Sequence, residues 1–121
     1  MPDELTERII GAAVEVHRHL GPGLLESIYE EALTHELGLR QVKCERQVAV
    51  DVVYKDIRIH GQRLDMLVED EVVVEIKSMK AVPGVASAQV LSYLKATGLK
   101  RALLINFSET KLVNGIRRFS L

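Results

Sequence analysis

The stretch from Arg63 to Lys77 limits the fold more than any other part of this chain. Two apolar runs flank the acidic residues at 69–71, which is the pattern of a β-hairpin with a short polar loop. Centring the loop on Asp70 predicts three apolar pairs on one face of the ribbon: Leu64 with Ile76, Met66 with Val74, and Val68 with Val72. Because a slip by one residue would mix the two faces, the pattern itself specifies the pairing.

The other face of the predicted hairpin carries charge. It places Asp65 directly across from Glu75, with Arg63 and Lys77 beside them. Opposed carboxylates on neighbouring strands repel each other, so a positive charge is expected between them. Lys77 is one candidate and a divalent cation is the other, and a small set of oxygen ligands suits Mg²⁺ or Mn²⁺. Taken alone, this hairpin fits a charge cluster on a solvated face better than a binding site.

The length and charge of the chain limit its architecture and its partners. Its 121 residues predict a single domain, 1–121, large enough for a real hydrophobic core. The formal net charge is −1, so any positive charge that binds nucleic acid must be local or supplied by metal. This weakens the case for a tight, non-specific binder of long duplex.

Cysteine usage and the lack of long apolar segments bear on the compartment. Cys44 is the only cysteine, so neither an intramolecular disulfide nor a cysteine zinc site is expected. The first residues lack the basic start and apolar core of a signal peptide, and no apolar run approaches membrane-spanning length. A reducing, cytoplasmic location without membrane contact is therefore expected.

Apolar periodicity predicts three helices. They cover residues 4–20, Leu24–Leu37 with Gly38 as a C-terminal cap, and about 84–97, ending at Gly98. On the second helix, Glu26 complements the helix dipole or points toward the domain body. Tyr29, at half-buried spacing, is more typical of a core residue than of a site.

Strand patterns fill most of the remaining chain. They predict strands at Val42–Tyr54, at Ile57–His60, on both arms of the hairpin with the second reaching toward Met79, at 101–107, and after a turn at 114–115. The order predicts an α+β (α/β-like) fold: a mixed central β-sheet flanked by helices, with the hairpin in its middle. The helix at 84–97 joins two strands, and such a crossover would bring Gln89 and Tyr93 over the Asp65 and Glu75 end.

Four elements occur in order along the chain: an acidic residue on an upstream helix, then Asp65, then Glu75-Ile76-Lys77, then Gln89-x-x-x-Tyr93. Together they resemble the PD-(D/E)XK nuclease superfamily, and the last is similar to its RecB- and lambda-exonuclease-like branch. Residues 23–29, which read Gly-Leu-Leu-Glu-Ser-Ile-Tyr, resemble the motif that names the GxxExxY proteins. The resemblance covers nearly the whole chain. It departs from the name pattern at Leu64, where the superfamily has proline.

The resemblance implies a restriction-endonuclease-like core and a set of site residues. The implied metal ligands are the side chains of Glu26, Asp65 and Glu75 and the main-chain carbonyl of Ile76. Lys77 would orient or polarise the attacking water and balance charge near the scissile phosphate. Gln89 and Tyr93 would steady the lysine or contact phosphate. Arg63 is a candidate for a phosphate contact or for a salt bridge to either carboxylate.

These observations predict a Mg²⁺- or Mn²⁺-dependent nuclease that cleaves DNA, with RNA as the second choice, by attack of water at phosphorus. One alternative is a catalytically silent module of nuclease fold that binds or acts with a partner protein, which the near-zero net charge favours. Another is a structural protein whose acidic face makes a dimer contact. A homodimer or larger homo-oligomer is expected for so small a nuclease, because dimerisation would widen the substrate groove.

Overall fold

The computed structural model describes residues 3–121, which form three α-helices around a five-stranded sheet. The elements follow in this order: α1 (Glu4–Leu20), α2 (Glu26–Leu39), β1 (Cys44–Tyr54), β2 (Ile57–Val68), β3 (Val72–Lys77), α3 (Gly84–Thr97), β4 (Arg101–Asn106), a 3₁₀ turn (Leu112–Gly115) and β5 (Ile116–Ser120). The predicted α+β class, a mixed central sheet flanked by helices, is confirmed.

The sheet has the spatial order β1-β2-β3-β4-β5. Its neighbours are antiparallel except β3 and β4, which are parallel. Parallel strands require a crossover connection, and α3 supplies it, as predicted. Within residues 3–121, no helix is both long and apolar enough to cross a membrane.

Both faces of the central strand β3 are buried. Helices α1 and α2 cover one face in a cluster that includes Leu33, Val74 and Phe107. Helix α3 covers the other face, where Val73 packs with Leu94 in a second cluster, called the α3 cluster below. A strand that is covered on both sides has no polar face, which explains the continuous valine run that begins this strand.

Two predicted boundaries on α2 and β3 are wrong. Helix α2 continues through Gly38 to Leu39, and the chain reverses instead at Gln41, whose φ is 61°. The Val42 N–H then bonds the Leu37 carbonyl at 2.9 Å and closes the helix end. Strand β3 stops at Lys77 because the N–H and the carbonyl of Met79 bond the Asn106 side chain, at 3.2 and 2.9 Å, rather than a neighbouring strand.

The strand prediction also needs correction before the hairpin. The segment Ile57–His60 and the first hairpin arm are one continuous strand, β2, which passes through Gly61 at a φ of 126°. Glycine tolerates this conformation without breaking the strand. Strand β1 begins at Cys44, two residues later than predicted. The final turn and strand are found where the pattern predicts them.

The predicted hairpin register is confirmed next to the loop and wrong at the end of the hairpin that is farther from the loop. The pairs Met66–Val74, Leu67–Val73 and Val68–Val72 all form. The ladder ends there, so the predicted pair of Leu64 with Ile76 does not form. Leu64 packs in the α3 cluster, whereas Ile76 packs on the opposite face of the sheet. The change of face occurs where Asp65 and Glu75 leave the ladder.

Candidate functional site

Asp65 and Glu75 tie β2 and β3 together just beyond the end of the ladder. The Asp65 N–H donates to Glu75 Oε1 at 3.0 Å, and the Ile76 N–H donates to Asp65 Oδ2 at 2.8 Å. Each carboxylate thus replaces a ladder bond with one of its oxygens. Among residues 3–121, no donor engages the other oxygen of either group, and neither oxygen is sealed from solvent. One oxygen of each carboxylate is free for a ligand.

Burial raises the pKa of both carboxyl groups. Glu75 is only 3% exposed, and its burial, with the neighbouring Asp65 charge, raises its pKa from 4.5 to about 7. Burial also raises the pKa of Asp65, and the charge of Glu30 contributes to that increase. The backbone hydrogen bonds and the positive charge of Lys77 oppose both shifts. Two buried carboxyl groups close to each other favour protonation when too little positive charge offsets them. The raised pKa values therefore indicate that the pair lacks a sufficient positive partner.

Neither predicted cationic partner, Lys77 or Arg63, forms a salt bridge with the carboxylate pair. The salt bridges within the described part of the chain involve neither Lys77 nor Arg63. Lys77 is half-buried at the end of β3, whereas Arg63 is exposed and lies opposite Ala49 in the ladder with β1. The predicted alternative of a salt bridge from Arg63 to Asp65 or Glu75 is therefore wrong. A phosphate contact by Arg63 stays a prediction.

A cavity of about 210 Å³ opens beside the carboxylate pair. It is lined by Glu26, Ser27, Glu30, Gln47, Asp65 and Ile76. Glu26 lies in the first turn of α2, is exposed, and accepts a hydrogen bond from the Ser78 N–H at 3.3 Å. Glu26 therefore both lines the cavity and holds Ser78, the residue that follows Lys77.

Glu30 belongs to this cavity and was not among the predicted site residues. It is 6% exposed, and both of its carboxylate oxygens are bonded: Arg46 Nη2 donates at 3.0 Å and Gln47 Nε2 at 2.8 Å. The sequence holds one signal for it, since a residue four positions after Glu26 lies on the same side of a helix. Its partners on β1 carry no such signal, because nothing local links them to α2.

Helix α3 brings Tyr93 near the pair, where the charges of Glu75 and Asp65 act on it, on the side of the sheet that α3 covers. Tyr93 is buried in the α3 cluster. Burial, followed by the charges of Glu75 and Asp65, raises its pKa to about 12, against the effect of the Gln89 side chain. The phenol is thus a proton donor at all physiological pH values. Gln89 is exposed one turn earlier on the helix.

Tyr29 organises the loop between α1 and α2 and is a core residue, as expected. Its ring stacks on Phe107 with centroids 4.4 Å apart and planes 8° from parallel. Its hydroxyl donates to the Gly21 carbonyl at 2.5 Å and accepts from the Leu24 N–H at 3.1 Å. The Leu24 carbonyl in turn accepts from Ser78 Oγ. Tyr29 thereby connects the core to the segment that carries Glu26 to the cavity.

Replacing Tyr29 with phenylalanine is expected to lower the free energy of unfolding by about 1–2 kcal/mol, because the ring stack remains but two backbone groups lose their partner. Urea unfolding would measure the change. Tyr54→Phe is the matched control, since that ring is 59% exposed on β1. A loss no larger than that of Tyr54→Phe would contradict the anchoring role of the Tyr29 hydroxyl.

Asn106 fixes the chain directly after Lys77. It is 3% exposed, and its side-chain oxygen accepts from the Met79 and Ser108 N–H groups, both at 3.2 Å. It pairs with Lys77 across the parallel strands, and the Phe107 N–H donates to the Lys77 carbonyl at 2.8 Å. The main chain of Lys77 is therefore fixed against β4 and the residue that follows it, whereas its side chain makes no salt bridge within residues 3–121.

The donor chemistry of the pair fits a small divalent cation. Two carboxylates each present a free oxygen, and Mg²⁺ is commonly held by one or two carboxylates while waters complete its octahedron. No group of three or more His, Cys, Asp or Glu side chains is close enough to hold a metal within residues 3–121. Glu26 is thus not assembled with Asp65 and Glu75 in advance, and its role as a metal ligand stays a prediction.

The mixed sheet, the crossover helix and the acidic pair with a lysine two residues beyond it define a restriction-endonuclease-like core. The family model of the PD-(D/E)XK nuclease superfamily matches residues 3–119, so the chain belongs to this superfamily. No curated protein and no solved structure shows a significant match. The predicted superfamily is confirmed, while the GxxExxY family and the exonuclease-like branch stay predictions.

Proposed function

We propose that this protein is a metal-dependent nuclease in which Asp65 and Glu75 hold the cation and Lys77 acts on the attacking water. The observation that carries the proposal is the pair itself: two carboxylates share one end of a hairpin, and Glu75 is almost fully buried. A charge cluster on a solvated face does not account for that burial, because burying an unpaired carboxylate is costly. A cation site accounts for it.

A Mg²⁺ or Mn²⁺ ion held by Asp65, Glu75 and the Ile76 carbonyl, with Glu26 at its margin, would supply Lewis-acid activation of water and offset charge on the phosphate. Lys77 then orients the water and stabilises the negative charge that develops on the phosphate oxygens. Its side chain is free for this role because it makes no salt bridge within residues 3–121.

The α3 residues act on the substrate side of the proposed site. Tyr93 keeps its proton, so its hydroxyl donates to a phosphate oxygen, or its oxygen accepts from the Lys77 ammonium and steadies it. Gln89 extends the same edge one turn along the helix. Arg63, exposed on β2, is a further phosphate contact. All three supply hydrogen-bond donors, which suits a polyanionic substrate.

DNA is the proposed substrate, with RNA as the alternative. A net charge of −1 supplies little general attraction for a long duplex, so a homodimer that joins two sites into a wider groove is part of the proposal. A cytoplasmic setting agrees with the single thiol of Cys44, whose pKa burial raises so that it stays protonated.

A second candidate function is a silent nuclease-fold module that acts with a partner protein. The observation that favours it is the lack of a preassembled three-ligand metal group within residues 3–121. In this case Asp65 and Glu75 would serve only to join β2 and β3. The two candidates differ in whether the pair binds a cation.

Calorimetric titration with Mg²⁺ and Mn²⁺, followed by cleavage assays on single- and double-stranded DNA and on RNA, tests the proposal. Asp65→Asn is the sharpest variant because its side-chain oxygen still accepts the Ile76 N–H. We expect this variant to fold and to lose both binding and cleavage. Asp70→Asn, in the exposed hairpin loop, is the matched control and should keep both. Wild type that binds no divalent ion would overturn the nuclease, and binding without cleavage would favour the silent module.

A further inference from the structure

Beside the carboxylate pair, the buried side chains of β1 and β2 change from one side of the sheet to the other. Cys44 on β1 packs against the α1 and α2 side of the sheet, whereas Val48 packs on the α3 side. On β2, Met66 and Leu64 show the same change. Residues an even number of positions apart in a regular strand share a face. Both strands are therefore rotated between these residues.

The rotation centres on Gln47 and Asp65. The ladder pairs Arg46–Met66 and Val48–Leu64 place these two residues opposite each other, yet they form no ladder pair themselves. Gln47 has a φ of 52°, a left-handed conformation that is unfavourable for a residue with a Cβ. Such a conformation persists only where surrounding contacts hold it.

The contacts that hold Gln47 come from α2. Its side-chain amide donates to Glu30 Oε1 at 2.8 Å, and the neighbouring Arg46 donates to Glu30 Oε2 at 3.0 Å. Glu30 is buried at the wall of the cavity that Asp65 and Gln47 also line. The Glu30 carboxylate on α2 therefore accepts hydrogen bonds from two successive residues of β1, Arg46 and Gln47, at the point where the strands rotate.

We propose that Gln47 and Glu30 are positioning residues for the Asp65–Glu75 pair: their bond holds β1 in the left-handed turn that releases Asp65 from the β1 ladder. Asp65 is then free to rotate toward β3, where its N–H reaches Glu75 and its carboxylate reaches the Ile76 N–H. Neither positioning residue needs to touch the substrate. The consequence for cleavage rests on the proposed nuclease function, whereas the positioning itself does not.

Amide hydrogen exchange in the metal-free protein tests the positioning directly. We expect Gln47→Met, which removes the amide but keeps the backbone penalty of a Cβ at positive φ, to lower the protection of the Asp65 and Ile76 amides at least tenfold. Gln41→Met is the matched control, since Gln41 also has a positive φ, of 61°, but lies in the α2–β1 connection. It should leave both amides unchanged.

Exchanging the donor and the acceptor between Glu30 and Gln47 distinguishes a loss of positioning from a general loss of structure. Glu30→Gln and Gln47→Glu should each lower the two protections, the first by leaving a single acceptor oxygen for the Arg46 and Gln47 donors and the second by opposing two carboxylates. The double variant restores a donor and an acceptor with the roles exchanged, so its protection should recover toward wild type. Protection that stays at the wild-type level in Gln47→Met and in Glu30→Gln would overturn the proposal, as would a double variant no better than the singles.

Mn²⁺ affinity provides the link to function. Loss of an outer contact that orients a metal ligand typically costs about 10- to 100-fold in affinity, and we expect a loss in this range for Gln47→Met. If wild type binds no Mn²⁺, the nuclease proposal fails, while amide exchange still decides the positioning. If wild type binds Mn²⁺ and Gln47→Met keeps both the affinity and the protected amides, only the positioning proposal fails.

Discussion

Replacing Lys77 with methionine is expected to lower cleavage by roughly 10²–10³-fold, because the ammonium stabilises charge that develops only in the transition state. Divalent-ion binding should be retained or become tighter. In the ground state the Lys77 charge favours ionised Asp65 and Glu75, but it also repels an incoming cation. Methionine keeps the apolar stem of the side chain without its terminal ammonium, so the main-chain contacts of β3 should remain.

Single-turnover cleavage at saturating Mg²⁺ and a parallel calorimetric titration would measure the two effects of Lys77→Met separately. Lys80→Met is the matched control, because Lys80 is exposed three residues later and should change cleavage little. An equal loss of cleavage and ion binding in Lys77→Met would assign Lys77 to the structure of the site instead of the reaction. Unchanged cleavage would remove it from the mechanism altogether.

The parts of the fold that the sequence predicts are those with a local cause. The Val72–Val74 run signals a doubly buried strand, the helix before Gly98 ends at a left-handed glycine, and the acidic loop at 69–71 sets the hairpin register. The end of α2 differs from the prediction because Gly38 lies inside the helix and does not cap it. The actual reversal is set by a bond between Val42 and Leu37, which is a property of the folded turn.

The hairpin pattern brings Asp65, Glu75 and Lys77 together, but by itself it favours a charge cluster. Only the resemblance to the nuclease superfamily turns these residues into a candidate site, together with Glu26, Gln89 and Tyr93 from other segments. Glu30 and Gln47 are 17 positions apart in sequence and meet only when α2 packs beside β1. Their contact depends on a left-handed residue other than glycine, which no propensity predicts. The same rotation explains why strict alternation assigned Leu64 to the wrong face of the sheet.

Replacing Glu75 with glutamine is expected to stabilise the metal-free protein above neutral pH by roughly 3 kcal/mol, since one pKa unit corresponds to about 1.4 kcal/mol. The folded protein raises the pKa of Glu75 from 4.5 to about 7. Between these values the folded state keeps a proton that the unfolded chain has released. The free energy of unfolding contributed by Glu75 therefore falls as pH rises through this window and is constant above it.

Urea unfolding of wild type and Glu75→Gln from pH 4 to 9, in a chelator and then in Mg²⁺, would test this prediction. Glutamine still accepts the Asp65 N–H, so the difference between the two proteins reports the charge. Glu31→Gln removes the same charge from an exposed position on α2 and should produce no such window. Mg²⁺ at about 100 times its dissociation constant should restore about 2.7 kcal/mol to wild type and little to Glu75→Gln. A stabilisation of Glu75→Gln that is independent of pH would show that packing, and not the buried charge, sets the cost of this residue.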